Sequence, residues 1–501
     1  MGGNPATFLE PFPMTEFSPL PRYPGYVEKR QRERVLAYLG RDNNLVLENG
    51  VTVPISSWED FKQAQIENRL DVYLVSMPKF PWWQEVGEDP GATIVPGDGN
   101  VLAIEIRDSS RHKFVTKSIA GWLGQKCNPD SLARLRALMD LVGVGTHGSP
   151  AALSQALYRR MRNPKDPGPR IPPERLRQLL FEHGTGGRAD LLAGKDEVFD
   201  EAFEYDMANA YLSTMRWLPS GDPVKWTESV GELCNGDQLG PDANMMATFF
   251  CRCVVNIPER AQGMGPFPLR DEQTGNLVYP TEVGWYGLEQ ELWLWKDQIE
   301  RCLEAGMFVW TTGEEAWGYQ DWSDRCRRWA NKLEKLRDQA APDLKPLVKM
   351  LIVAGIGWHG QKSESCKVVP LEEAQEVVST GDGPGSLMFG VSRTAKPNKP
   401  YMTHWYYWSI MRVGCAVWDF AQAEMRAGNR VLMTNYDAVL LMERHRTSVR
   451  FLPKRRVVGL NGHKGNRISW HETELHDVTI PASRSIVCRE KIRLPGVSRV
   501  A

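Results

Sequence analysis

The chain has 501 residues, 42% of them hydrophobic, and a formal net charge of -1, which is enough material for two or three globular domains. No apolar run approaches the roughly eighteen residues of a membrane span, and the amino terminus lacks a charged segment followed by an apolar one, so we expect a cytoplasmic protein without a membrane partner. The nine cysteines are scattered, which argues against a disulfide framework and against a CxxC zinc site.

Residues 1–162 are expected to form an amino-terminal α/β domain. Apolar alternation between turn residues predicts strands, and apolar residues at helical spacing predict helices. The expected elements are strands over 71–77 and 100–108 and helices over 131–142 and 149–161, capped by Ser131 and Ser149.

Residues 163–197 are predicted to be a linker. Five prolines between 163 and 173 exclude a helix interior. One short helix is expected over 174–184. The glycine-rich stretch after it lacks the spacing of a phosphate-binding loop.

Residues 198–501 are predicted to alternate strands with long helices. Helices are expected over 288–306, 323–339, 344–357 and 403–427, and a strand pair is expected around 431–443. From Arg444 onwards there are thirteen Lys and Arg residues and four Asp and Glu residues, a positive excess of 13 - 4 = 9. Such a segment either binds along a nucleic-acid backbone or is a solvated basic end.

Two aspartates stand in unusual settings. Asp206 ends an apolar strand in EYDMANAYLSTM, and Asp437 lies between two β-prone arms in MTNYDAVLLM. Either acid alone is best interpreted as a turn or cap residue. Together they match a phosphoryl-transfer site, in which two carboxylates on adjacent strands hold two divalent ions and a cationic helix holds the phosphates.

These segments resemble motifs of the family B DNA polymerases, in particular the protein-primed branch of phages and linear plasmids. DMANAYLS resembles their first motif, DxxSLYPS, KMLIVAGIG resembles KxxxNSxYG, and MTNYDA resembles YxDTDS. The resemblance covers roughly residues 200–497. It implies an α+β right-hand fold with palm, fingers and a small thumb, preceded by an α/β exonuclease-like domain.

The resemblance divides the chain further and implies a template-directed DNA polymerase. It places a palm with an insertion at 198–320, fingers at 321–362, the rest of the palm at 363–445 and a basic, thumb-like region at 446–501. It implies two Mg²⁺ or Mn²⁺ ions as cofactors. It also implies a DNA primer-template, dNTPs and, for protein priming, a terminal protein as partners.

The resemblance also assigns roles to single residues. Asp206, Asp437 and the backbone carbonyl of Met207 would hold the metals, and Tyr211 would exclude a ribose 2′ hydroxyl. Lys349 would hold the incoming triphosphate, and Gly357 would lie near the DNA. The same implied set includes Lys491 at the primer terminus and Arg337 at the phosphates, the latter only if its helix packs as an antiparallel pair with that of Lys349.

The chain also departs from the family pattern. Asn435 replaces the first aspartate of the third motif, while Val353 and Ile356 replace the Asn and Tyr of the second. Glu105 and Asp108 are the nearest match to the acidic pair of a proofreading exonuclease, but their spacing is wrong, so we expect no proofreading. A catalytically degenerate, DNA-binding scaffold and a metal-dependent nuclease therefore remain as alternative functions.

Overall fold

The computed structural model describes most of the chain between residues 35 and 493. The described residues are 35–39, 43–67, 70–74, 85, 89, 92–97, 100–107, 113–118, 129–143, 150–161, 171–194, 197–207, 209–226, 233–257, 265–270, 277–278, 289–360, 364–369, 371–379, 388–395, 402–446, 470–479 and 490–493.

The elements follow one another along the chain in two groups. The first group is β1 Val35–Leu39, β2 Asn44–Leu47, β3 Thr52–Pro54, α1 Trp58–Glu67, β4 Leu70–Leu74, β5 Ala92–Gly97, β6 Asn100–Arg107, β7 Lys113–Ser118, α2 Pro129–Val142 and α3 Pro150–Met161. The second group is α4 Glu174–His183, β8 Arg188–Leu191, β9 Val198–Met207, α5 Ala210–Thr214, β10 Leu218–Ser220, β11 Val224–Trp226, α6 Pro241–Met245, β12 Thr248–Asn256, β13 Leu269–Arg270, β14 Leu277–Val278, β15 Glu289–Trp295, α7 Lys296–Glu304, β16 Phe308–Tyr319, β17 Asp321–Ser323, α8 Arg327–Gln339, α9 Lys345–Gly357, β18 Glu364–Val369, β19 Glu376–Ser379, β20 Met388–Ala395, α10 Thr403–Arg426, β21 Val431–Tyr436, β22 Ala438–Leu441, β23 Trp470–Thr479 and β24 Glu490–Arg493.

The first group of strands forms one seven-stranded mixed sheet in the order β3-β2-β1-β4-β7-β6-β5. The β1–β4 and β4–β7 pairs are parallel, and the others are antiparallel. The helix predicted to start after Ser131 begins earlier, at Pro129, because proline is well suited to a first helical position. Ser131 is therefore a buried residue of the first turn and not a cap, and Ser149 lies outside the described residues.

A six-stranded antiparallel sheet, which we call the central sheet, has the order β24-β23-β9-β22-β21-β8. The long helix α10 covers one of its faces, where Phe203, Tyr205 and Met207 of β9 pack against Val417 and Phe420. Successive side chains of a strand point to opposite faces. Asp206 therefore points away from α10, and it is exposed.

Two strands of the central sheet lie in segments for which other roles were expected. β8 lies within the predicted linker, 163–197, and pairs with β21. β23 lies within the predicted basic region, 446–501, and pairs along β9. The charged and histidine residues of β23 concealed its buried Leu475 and Val478, whose burial depends on partners more than two hundred residues away.

The helix predicted over 288–306 is wrong in its first half. β15 occupies Glu289–Trp295, and only Lys296–Glu304 is helical. β15 pairs residue by residue with the strand β12, and the ring of Trp295 lies 5.1 Å from that of Phe250. Cross-strand contacts of this kind, in the sheet β11-β16-β12-β15, override a local helical pattern.

Helices α8 and α9 form a packed pair joined by residues 340–344. Leu333 and Leu336 of α8 share one apolar core with Leu347 and Leu351 of α9. α9 also packs on α3. A Cβ added at Gly355 would lie 2.2 Å from Ser154 Oγ of α3 and 2.8 Å from the ring of Trp329 of α8, so only glycine allows this approach.

None of the helices in the described part of the chain is long and apolar enough to cross a bilayer. Six cysteines are free and buried: Cys234, Cys251, Cys253, Cys302, Cys326 and Cys415.

Candidate active site

Asp206, on β9, lies beside Asp437, which directly precedes the neighbouring strand β22 of the central sheet. Asp206 is the penultimate residue of β9 and pairs across the sheet with Ala438, the residue after Asp437. The backbone N–H of Met207 donates a hydrogen bond to the carbonyl oxygen of Asp437, at 2.8 Å. The structure thus brings together two acids that are 231 positions apart, as 437 - 206 = 231.

Asp437 occupies the tight turn between β21 and β22. Asn435 and Ala438 are cross-strand partners, so the turn consists of Tyr436 and Asp437. Tyr436 has a positive φ of 54°, which is uncommon for a bulky side chain. Its ring packs on Gly187, where an added Cβ would lie 2.4 Å from the ring, and the side chain of Tyr436 remains 54% exposed.

The electrostatic setting of Asp437 favours a bound cation. Burial and then the charge of Asp206 raise the pKa of the Asp437 carboxyl to about 6, against the opposing effects of a backbone hydrogen bond and the positive charge of Lys349. When two carboxylates repel each other in a partly desolvated position, a bound divalent cation reduces the repulsion between their charges. The pair therefore fits the predicted metal role.

The carbonyl group of Met207 belongs to the last residue of β9 and lies next to this pair. Within the described part of the chain, the one group of three potential metal-ligand side chains lies elsewhere. It consists of Glu201, Glu474 and His476, with ligand atoms within 4.8 Å of one another. Glu201 and Asp206 are five positions apart on one strand, so this group lies on the opposite face of the sheet.

Tyr211 lies on α5, shortly after Asp206. Burial raises the pKa of its phenol group, and the charges of Asp437, Tyr406 and Tyr436 add to that effect. The predicted steric residue therefore lies within electrostatic range of Asp437.

Lys349 lies on α9, within electrostatic range of Asp437. It is exposed, and its positive charge lowers the pKa of Asp437. Arg337, near the end of α8, is half-buried, and its guanidinium lies 3.9 Å from Asp338. α8 packs on α9, and within the described residues the structure shows no contact between Arg337 and the acid pair.

The three residues of the second motif differ in their surroundings. Val353, one helical turn after Lys349, is 55% exposed, so it lies on the same open face. Ile356 is buried in the core, where it has no access to a nucleotide. Gly357 ends α9, and a Cβ there would meet no atom within 4 Å, so packing does not require a glycine at that position.

The remaining predicted residues are only partly described. Asn435 is half-buried and pairs with both Ala438 and Ala189. Glu105 lies in β6, whereas Asp108 is outside the described residues. Lys491 lies in β24, opposite Leu475 of β23, and its side chain is not among those described.

The sequence did not reveal a polar bridge that lies beside the acids. Asn209, between Asp206 and Tyr211, donates from Nδ2 to Glu334 Oε1 of α8 at 2.8 Å. Arg216 donates to the other oxygen of Glu334. An Asn in place of the motif's Ser was a visible signal, but its partner lies on another element.

Comparison with known proteins gives matches only among solved structures. No model of a known protein family matches the sequence, and neither does any curated protein. Phi29 DNA polymerase in a ternary complex with primer-template DNA and incoming nucleotide substrates aligns over 93% of this chain and 92% of that chain, with a TM-score of 0.61 and 13% identity. The chain has the fold of that DNA polymerase.

Further structures of Phi29 DNA polymerase give the same result. Its complex with single-stranded DNA matches with a TM-score of 0.57 and 13% identity over 91% of this chain and 89% of that chain. An orthorhombic crystal form matches with a TM-score of 0.56 and 12% identity over the same shares. The predicted α+β right-hand fold, with an exonuclease-like amino-terminal domain, palm, fingers and thumb, is thereby confirmed.

Proposed function

We propose that this protein is a template-directed DNA polymerase that adds dNTPs to a primer 3′ end. One observation carries the proposal. In a chain with a DNA polymerase fold, Asp206 on β9 lies beside Asp437, which directly precedes the neighbouring strand β22, and the charge of Asp206 raises the pKa of Asp437. A nucleotidyl-transfer site needs such a pair of carboxylates, close together and accessible from one side of a sheet.

The domain roles follow from the elements that carry these residues. The central sheet with α10 serves as the palm, and the pair α8–α9 serves as the fingers. β8, β23 and β24 extend the palm into the segments first assigned to the linker and the thumb. The seven-stranded amino-terminal sheet serves as the exonuclease-like domain.

Asp206, Asp437 and the Met207 carbonyl are the proposed ligands for two Mg²⁺ or Mn²⁺ ions. When bound, these ions would supply activation of the primer hydroxyl and stabilisation of the triphosphate charge. Asp437 must lose its proton to act as a ligand, and its pKa of about 6 allows this at neutral pH. Asn435 contributes no charge, so the site has one acid fewer than the motif it resembles.

The incoming nucleotide would lie between the acid pair and α9. Lys349 would hold the triphosphate, since its charge already acts on Asp437. Tyr211 would limit the space for a 2′ hydroxyl and so favour dNTPs. Arg337 would act as a second, weaker phosphate contact from α8, while Val353 on the open face of α9 would meet the nucleotide without a hydrogen bond.

The primer-template would cross the exposed face of the central sheet. Gly357 and Lys491 are proposed to lie along its path, together with basic residues after Arg444. The structures of Phi29 DNA polymerase with primer-template DNA support this duplex role. Initiation from a terminal protein is proposed as the priming mode, and proofreading is proposed to be absent.

A second function is favoured by Asn435 and by the burial of Ile356. The missing charge weakens a metal site, and the buried side chain cannot contact a base pair. A degenerate scaffold that binds DNA without extending it would keep the fold and lose both features. It predicts salt-sensitive DNA binding that does not depend on Asp206.

Primer extension separates the two functions. The purified protein is incubated with a labelled primer-template, dNTPs and Mg²⁺ or Mn²⁺, and wild type is compared with Asp206→Asn and Asp437→Asn. Asp200→Asn is the matched control, because Asp200 is an exposed acid on the same strand as Asp206. Extension by wild type and control alone supports the polymerase. Equal DNA binding with no extension in any protein supports the scaffold, and shortening of the primer supports a nuclease.

A further inference from the structure

The bridge between α8 and the acid pair is built from both oxygens of one carboxylate. Glu334 accepts from Asn209 Nδ2 at 2.8 Å and from Arg216 Nη2. Arg216 Nε also donates to Asn331 Oδ1, one turn earlier on α8, at 3.0 Å. Two residues on one face of α8 are thus bound to the segment 209–216.

Asn209 is the one residue of that segment with a positive φ. It has φ 54° and ψ 37°, the left-handed region, where Asn is tolerated better than most residues. Its carbonyl oxygen accepts from the backbone N–H of Ser213 at 2.9 Å, which starts helix α5. The position of Asn209 therefore determines where α5 begins and, with it, where Tyr211 lies.

The side chain of Asn209 is also oriented by Glu334. A carboxylate only accepts hydrogen bonds, so the Nδ2 side of the amide must face it. The amide oxygen is then directed into the interior, where it is buried and has no hydrogen-bond partner among the described residues. Glu334 is thus the group that fixes this amide, and no second partner in the described structure replaces it.

Asn209 lies three residues after Asp206 and two before Tyr211. A shift of Asn209 therefore moves the proposed Met207 ligand on one side and the proposed 2′-hydroxyl barrier on the other. We propose that Glu334 is a positioning residue that links the fingers helix α8 to this turn and thereby sets both the rate of nucleotide addition and the discrimination against rNTPs. This role rests on the proposed polymerase function.

The charge of Glu334 and its ability to accept hydrogen bonds can be tested separately by two substitutions. Glu334→Gln keeps an oxygen that can accept from Asn209 but loses the charge that binds Arg216. Glu334→Ala removes both contacts. Glu197→Gln is the matched control, since Glu197 forms a comparable exposed ion pair with Arg430 at 2.7 Å, away from the acid pair.

The experiment measures kcat and KM for dATP and for ATP during primer extension, with primer-template binding followed by fluorescence anisotropy. Loss of hydrogen bonds to a charged group predicts a decrease in kcat of about tenfold in Glu334→Ala, with a similar loss of discrimination against ATP. Glu334→Gln should recover most of the discrimination, and DNA binding should not change. Wild-type discrimination in Glu334→Ala would overturn the proposal.

Amide hydrogen exchange provides a readout that does not require activity. Faster exchange at residues 209–216 is expected in Glu334→Ala and not in Glu197→Gln. If wild type does not extend primers but this local change occurs, the polymerase function fails and the linkage holds. If wild type is active and exchange at 209–216 is the same in all proteins, the linkage itself is wrong.

Discussion

The raised pKa of Asp437 predicts that the pH–rate profile of the metal-dependent reaction has an acid limb, in which the rate falls as the pH is lowered. Burial and Asp206 raise that pKa from 3.8 to about 6. At about pH 7.5 roughly 97% of Asp437 is then ionised, and at about pH 5.5 roughly a quarter. An unperturbed Asp would be almost fully ionised at both pH values. With Mg²⁺ well below saturation, we expect the extension rate to fall about fourfold between these values and about tenfold per pH unit further down.

The sign of the effect follows from competition between a proton and a cation for one carboxylate. Once the Mg²⁺ concentration exceeds the dissociation constant of the site, each further tenfold increase should move the midpoint of the acid limb down by about one pH unit, because ligand carboxylates must be deprotonated. The assay is initial-rate primer extension over a grid of pH and Mg²⁺, with anisotropy as a check on DNA binding. Asp200→Asn should reproduce the wild-type grid. A rate that does not fall at low pH, or that Mg²⁺ does not restore, would refute the reasoning.

Three further predictions concern stability and nucleotide affinity. Since the folded protein holds the Asp437 proton more tightly than the unfolded chain, wild-type stability is lost as pH rises through about 6. In EDTA, Asp437→Asn should therefore be more stable than wild type by about 3 kcal/mol at neutral pH, with the difference shrinking towards pH 3.8, as measured by urea unfolding. In the same assay, Gly355→Ala should lower the free energy of unfolding by about 1–3 kcal/mol, while Gly357→Ala should leave it unchanged or raise it slightly. Equal effects of the two substitutions would contradict the packing described for α9. Lys349→Ala should raise the KM for dNTPs about tenfold, and Arg337→Ala should raise it less, as measured by steady-state kinetics. A larger effect of Arg337→Ala would contradict the proposed roles.

The group of Glu201, Glu474 and His476 bears on how these metal experiments are interpreted. It lies on the opposite face of the central sheet from Asp206, so Mn²⁺ bound there would not act on the primer. Extension rates report only on cations that reach the acid pair. Rates, and not total bound metal, are therefore the appropriate readout for the acid limb.

The sequence by itself determined the chemistry of the candidate site. An acid at the end of an apolar strand and an acid in a tight turn are local features, as are the apolar pattern of α9 and the lysine on it. These signals extend over ten or fifteen residues, which is the range over which periodicity and turn preferences act. The expected fold class and the expected proximity of Asp206 and Asp437 came from the resemblance of these motifs to those of family B DNA polymerases.

Only the tertiary structure decided which elements meet. The register that puts Ala438 opposite Asp206 joins strands far apart in the chain, and the strand at Glu289–Trp295 exists because β12 offers it a partner. β23 became part of the central sheet for the same reason. The bridge from Glu334 to Asn209 depends on how α8 packs, and that packing is the sum of many long-range contacts that no single segment of the sequence contains.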